Sequence, residues 1–145
     1  MFKHLLISTD GSELSGKAVS QGLSLAKSLG AKVTAVTVTE PFALSVPIEV
    51  ALVFSEEDYE KAVKSSADKI LQAVSAAAEA DGVPCKTEHV KNVYPADGIL
   101  DTAKASGCDL IVMGSHGRRG LSRLLLGSQA NRVVTQSTVP VLICR

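Results

Sequence analysis

Leu110–Val134 reads LIVMGSHGRRGLSRLLLGSQANRVV, and the fold turns on how its two halves are joined. Leu110 to Met113 is a continuous apolar run, as expected of a strand covered on both faces of a parallel sheet. Gly114 breaks it. Two residues separate Gly114 from Gly117, and nine more lead to Gly127-Ser128, which opens a helical pattern carrying Ala130, Val133 and Val134. Glycine accepts positive φ and lets a backbone approach a ligand closely, so main-chain amides at such turns can converge on an anion. The first amides after Gly127 have no partner within the helix, the helix dipole favours negative charge there, and the Ser128 hydroxyl adds a donor. From Leu110 to Arg145 the chain has five arginines (Arg118, Arg119, Arg123, Arg132, Arg145) and no Asp or Glu. Each glycine alone is explained by loop geometry, and Ser128 alone by helix capping. Taken together after a buried strand, they predict a phosphate site.

Length and composition narrow the setting. The 145 residues, 46% hydrophobic, predict one domain over 1–145 with a genuine core. Fifteen basic and fifteen acidic residues cancel, which argues against a surface built for nucleic acid, and the absence of Trp argues against base-stacking platforms. No apolar run approaches a membrane span, and MFKHLLISTDG reads as a strand rather than a signal peptide, so a cytoplasmic location is expected. Cys85, Cys108 and Cys144 lack paired spacing and read as reduced core thiols; no metal-ligand set is expected.

In chain order, Lys3 to Ser8 predicts a first strand, and Thr9-Asp10-Gly11-Ser12 a turn with Ser12 as N-cap. Glu13 to Leu29 predicts a helix with Leu14, Ala18, Gln21-Gly22, Leu25 and Leu29 on one face, closed by Gly30. Val33 to Val38 is the second strand. The segment 39–54, with Pro41, Pro47 and a surplus of apolar residues, is long for a connection; its conformation stays open, a short helix after Pro47 being one option. Ser55 to Asp81 predicts the longest helix, with Tyr59, Val63, Ala67, Ile70, Val74 and Ala77 at helical spacing. Cys85 to Val90, Asp109 to Met113 and Val139 to Cys144 predict strands, and Tyr94 to Ser106 a helix with Ile99, Leu100 and Ala103 inward.

This order implies an α/β fold: a doubly wound, five-stranded parallel sheet in the order 3-2-1-4-5 with helices on both faces. Ligands of such sheets bind beyond the carboxyl ends of the strands where the winding reverses, here at Asp10 and Gly114. Asp10 suits either a local turn or a ribose hydroxyl or metal at that point.

Two motifs are near misses. GSELSGKA (Gly11–Ala18) departs from the GxxxxGK[ST] phosphate loop by having Ala18 where a hydroxyl is needed. Met113-Gly114-Ser115-His116-Gly117 approaches the GxSxG elbow of serine hydrolases, but the chain continues as loop, and adjacent Ser115 and His116 are not a catalytic pair by being neighbours.

Across essentially its whole length the chain resembles the nucleotide-binding branch of the universal stress protein family. The match rests on Gly114-x2-Gly117-x9-Gly127-Ser128, on ISTDGSELSGKAV and on VTVTEP. The resemblance implies an ATP- or AMP-binding, dimeric stress-response protein in which the glycines and Ser128 hold phosphates. Asp10 would contact ribose or an accompanying magnesium or manganese ion, and Val38 would pack on adenine. Thr9, Met113, Ser115 and Gln129 flank those positions and join the candidate site. Thr37 stands where the family often has histidine. A weak ATPase or autokinase activity, and a ligand-independent interaction protein pairing through its C-terminal edge strand, are the alternative functions.

Overall fold

The structure, a computed structural model, describes residues 1–117 and 125–145. Among these, five strands form one sheet: β1 (His4–Ser8), β2 (Lys32–Thr39), β3 (Cys85–Lys91), β4 (Leu110–Gly114) and β5 (Val141–Cys144). All neighbours are parallel, in the order β3-β2-β1-β4-β5, as the sequence predicts. Leu5 pairs with Val33 on one side and Leu110 on the other, so β1 is central.

The helices follow from capping and periodicity. Helix α1 (Glu13–Leu29) starts where the Ser12 hydroxyl accepts from the Ser15 amide and ends at Gly30, φ 62°. Gln21 on its predicted face is exposed. Its mid-helix Gly22 has a reason: a Cβ there would lie 2.6 Å from Ile7 Cδ1. Segment 39–54 forms two single-turn helices, α2 (Phe42–Ser45) after Pro41 and α3 (Ile48–Ala51) after Pro47. Proline suits a helix start because its missing N–H would have no partner there anyway. Helix α4 (Glu56–Ala80) is capped by Ser55. Its buried stripe is Ala67, Leu71, Val74 and Ala78, whereas Ala77 is exposed; the inward face is shifted by one residue from the predicted spacing in its last turns. Helices α5 (Pro95–Ser106) and α6 (Ser128–Gln136) complete the set.

One face of the sheet, with Leu5, Ile7, Val33 and Val112, is covered by Ala18, Leu23 and Ala26 of α1 and Ala78 of α4. The other, with Leu6, Val36, Ile111 and Met113, is covered by Ala96, Ile99 and Ala103 of α5 and Ala130 and Val133 of α6. Each fully buried Leu or Ile contributes about 1.5–3 kcal/mol. β5 starts two residues later than predicted. Ser137 accepts from the Val139 amide at 3.2 Å and donates to the Val139 carbonyl at 2.6 Å, and Pro140 has no amide to offer, so pairing as a strand begins at Val141.

The three cysteines are free thiols. Burial pushes all three up, Cys108 to about 11, which favours the thiol form in each.

Candidate functional site

After β1 the chain crosses to α1 on one face of the sheet; after β4 it runs to α6 on the other. The two exits diverge and leave a cleft beyond the carboxyl ends of the central strands. A cavity of about 770 Å³ occupies it. Thr9, Asp10, Val38, Met113, Gly114, Gly117, Gly127, Ser128 and Gln129 all line it, so nine of the ten predicted site residues converge.

The β1 side is a rigid hydroxyl network. Buried Ser15 donates through Oγ to the Ser12 carbonyl at 3.0 Å and lies 3.0 Å from Thr9 Oγ1, which itself accepts from the Gly11 amide. Asp10 Oδ1 accepts from the Ser12 amide at 2.9 Å, the local turn anticipated for it. Its other oxygen faces the glycine loop: a Cβ on Gly117 would lie 3.1 Å from Oδ2. Asp10 therefore serves the turn and the cleft together.

On the β4 side the glycines work differently from expectation. None of Gly114, Gly117 and Gly127 has positive φ; among the described residues the glycines that do are Gly11, Gly30, Gly82 and Gly107. Close approach is what they provide, and at Gly127 it is approach to the protein. The Gly127 amide donates to the Ser115 carbonyl at 2.8 Å, and a Cβ there would lie 3.0 Å from that oxygen. The Ser115 amide in turn donates to the Cys144 carbonyl at 2.9 Å. These two amides are thus engaged by the fold rather than offered to an anion. The amides offered are those of Ser128, Gln129 and Ala130, the first turn of α6, which Gly127 cannot cap because it has no side chain.

Ser115 is the predicted residue that does not line the cavity. It is 5% exposed, with Oγ 3.1 Å from His116 Nδ1. Gln129 reaches the cavity but spends its side chain elsewhere: Oε1 accepts from the Ala96 amide at 2.9 Å and caps α5, whose own N-cap Tyr94 has no side-chain bond. Arg132 pairs with Asp97 at 2.7 Å and lies 5.9 Å from the centre of the Tyr94 ring, facing α5, while Arg118, Arg119 and Arg123 lie outside the described residues.

The far wall comes from α4, with Tyr59, Val63, Ser66 and Ile70, and from Thr37, Tyr94 and Ile99. Tyr59, Val63 and Ile70 carry the helical spacing predicted for this segment. They are only half-buried because a cleft, not a strand, lies against them. Periodicity reports an inward face and is blind to whether protein or ligand fills it. Among the described residues no group of three His, Cys, Asp or Glu is placed to hold a metal, and no helix is long and apolar enough to cross a membrane.

The universal stress protein family matches over residues 1–145, the whole chain. The chain belongs to the universal stress protein family. A universal stress protein of Methanocaldococcus jannaschii is 37% identical over 147 residues, covering 100% of this chain and 83% of that one. Among solved structures, protein MJ0577 of the same organism, a test case for assigning biochemical function from structure, matches with a TM-score of 0.84 at 26% identity, covering 99% of this chain and 96% of its own. A universal stress protein in complex with cAMP matches with a TM-score of 0.73 at 28% identity, covering 99% and 97%. The universal stress protein fold here is thus the doubly wound sheet that the order of strands and helices predicts.

Proposed function

We propose that this universal stress protein is a regulatory binder of an adenine nucleotide, ATP or AMP, and that residues 1–145 act as one nucleotide-binding domain. The observation that carries the reading is the α6 N-terminus: three amides without partners in the helix, with no side-chain cap, opening into a cleft with a hydroxyl-lined and an aliphatic end. The phosphates would sit at the Ser128, Gln129 and Ala130 amides and the Ser128 hydroxyl. Gly117 keeps a side chain out of their path, with Thr9, Met113 and Gly114 flanking. The ribose would lie by Asp10 and the base against Val38, Ile70 and Ile99. The cAMP complex of a relative at 28% identity supports an adenine nucleotide. A magnesium or manganese ion accompanying the phosphates would draw one protein ligand from Asp10 and the rest from phosphate and water, an ordinary arrangement for magnesium.

Titration calorimetry with ATP, ADP and AMP tests this. The expected result is saturable binding of at least one of them; a folded sample that takes up none at millimolar ligand overturns it.

The edge position of β5 supports a second element of the reading, a homodimer formed by strand addition. Leu142 is 38% exposed, while Val139, Val141 and Ile143 pack inward on the α5 and α6 side. Light scattering is expected to give a dimer, and a monomer across micromolar concentrations refutes it.

A further inference from the structure

The arm between β2 and α4 carries six exposed large apolar residues: Leu44, Ile48, Val50, Leu52, Val53 and Phe54, with Leu52 at 83% and Val53 at 86%. Singly exposed apolar residues are ordinary, whereas a contiguous run marks an interaction surface. This run is held together. The Leu52 amide donates to the Ile48 carbonyl at 3.2 Å and the Phe54 amide to the Val50 carbonyl at 2.9 Å, folding the apolar residues into compact turns. The arm is also tied down: Tyr59 donates its hydroxyl to the Glu40 carbonyl at 3.1 Å, and the Phe42 and Tyr59 rings meet edge to face at 5.1 Å. It is a platform with a fixed root.

Charge identifies what it accepts. From Glu40 to Glu60 there are six acidic residues and no Lys or Arg, in a chain whose net charge is zero; Glu57 pairs with Lys61 at 2.8 Å, which leaves the rim acidic by five. An anionic lipid surface is repelled by such a rim. Symmetric pairing of two copies on this patch would set six acids against six. A segment carrying apolar anchors among lysines or arginines matches both features. We propose that the apolar turns of residues 44–54, with their acidic surround, dock a cationic amphipathic segment of another protein.

The test uses a fluorescein-labelled synthetic peptide of Leu and Lys in helical amphipathic order, a twin with Glu replacing Lys, and anisotropy as the readout. The whole chain is expected to bind the Lys peptide and not the Glu twin. Binding should weaken about tenfold in Leu52→Ser/Val53→Ser, whose side chains lie outside the core, and likewise in Glu56→Gln/Glu57→Gln, and it should fade as salt shortens the Debye length. Glu79→Gln/Asp101→Asn, which removes two exposed acids elsewhere, should leave it unchanged. Equal affinity for the two peptides, retained affinity in Leu52→Ser/Val53→Ser, or equal loss in the control overturns the proposal. So does binding to phosphatidylglycerol vesicles, or a dimer of the chain that dissociates on Leu52→Ser/Val53→Ser, since either names a different occupant.

Discussion

Gly127 sits at φ −60° and ψ 155°, a conformation open to most residues, so its identity is set by its neighbours and not by its backbone. With the Ser115 carbonyl 3.0 Å from any Cβ, Gly127→Val must displace either the 114–117 loop or the first turn of α6. Overpacking of this kind costs about 1–3 kcal/mol, and nucleotide affinity is expected to fall about tenfold or more, measured by calorimetry, with Gly127→Ala milder. Gly98 has a parallel logic inside α5. A helix-interior glycine costs about 1 kcal/mol relative to alanine, yet a Cβ here would lie 2.8 Å from both Val38 methyls. Valine is stiff about χ1 and cannot swing both methyls clear. Gly98→Ala is therefore expected to lower stability by about 1–3 kcal/mol and to push Val38 toward the cleft, weakening nucleotide binding. Adding Val38→Ala should restore stability in urea unfolding; a double variant no more stable than Gly98→Ala would show that the two residues do not meet.

At the scale of elements, α5 and α6 are joined by a cap that neither supplies to itself. Gln129 of α6 accepts from the Ala96 amide in the first turn of α5. Gln129→Ala is expected to cost about 0.5–2 kcal/mol, as loss of an N-cap acceptor does, and Gln129→Glu, which keeps the oxygen, to cost less; thermal unfolding followed by circular dichroism measures both. The Arg132 and Asp97 pair between the same helices is about one-third exposed and contributes little beside it. Helices with strong caps were legible in the sequence: Ser12 and Gly30 bound α1 as read. The capping of α5 was not, because its acceptor is thirty-three residues away along the chain. The α4 wall was half legible. Its spacing put Tyr59, Val63 and Ile70 in one helical pattern, but the cleft they face exists only once β1 and β4 send their chains to opposite sides of the sheet.

For the molecule as a whole, stability should depend on pH through two histidines. Desolvation by burial, then Lys32, holds His4 below the ordinary value of 6.5, where its ring bonds Thr34 Oγ1 at 2.8 Å. Desolvation and then Lys91 do the same for His89, bonded to Thr39 Oγ1 at 2.7 Å. Both are neutral in either state above 6.5; below it the unfolded chain takes up protons first, so stability falls as pH drops. Asp109 adds a later loss. Burial opposes its ionisation, but hydrogen bonds from the Lys3 and His4 amides outweigh this and hold it below 3.8, so its contribution is present above that value and vanishes as pH falls through the lowered one. The urea midpoint should therefore drop between about pH 7 and pH 5, and His4→Gln/His89→Gln should flatten that slope. An unchanged slope in the double variant would exclude the histidines. By itself the sequence determined the order of strands and helices, the parallel sheet and the position of the cleft, because apolar periodicity, caps and right-handed crossovers are local or topological rules. Only the tertiary structure decided which amides are free to meet a ligand, what the glycines accommodate and which half-buried residues wall the cleft, because those depend on atoms brought within 3 Å of one another from distant parts of the chain.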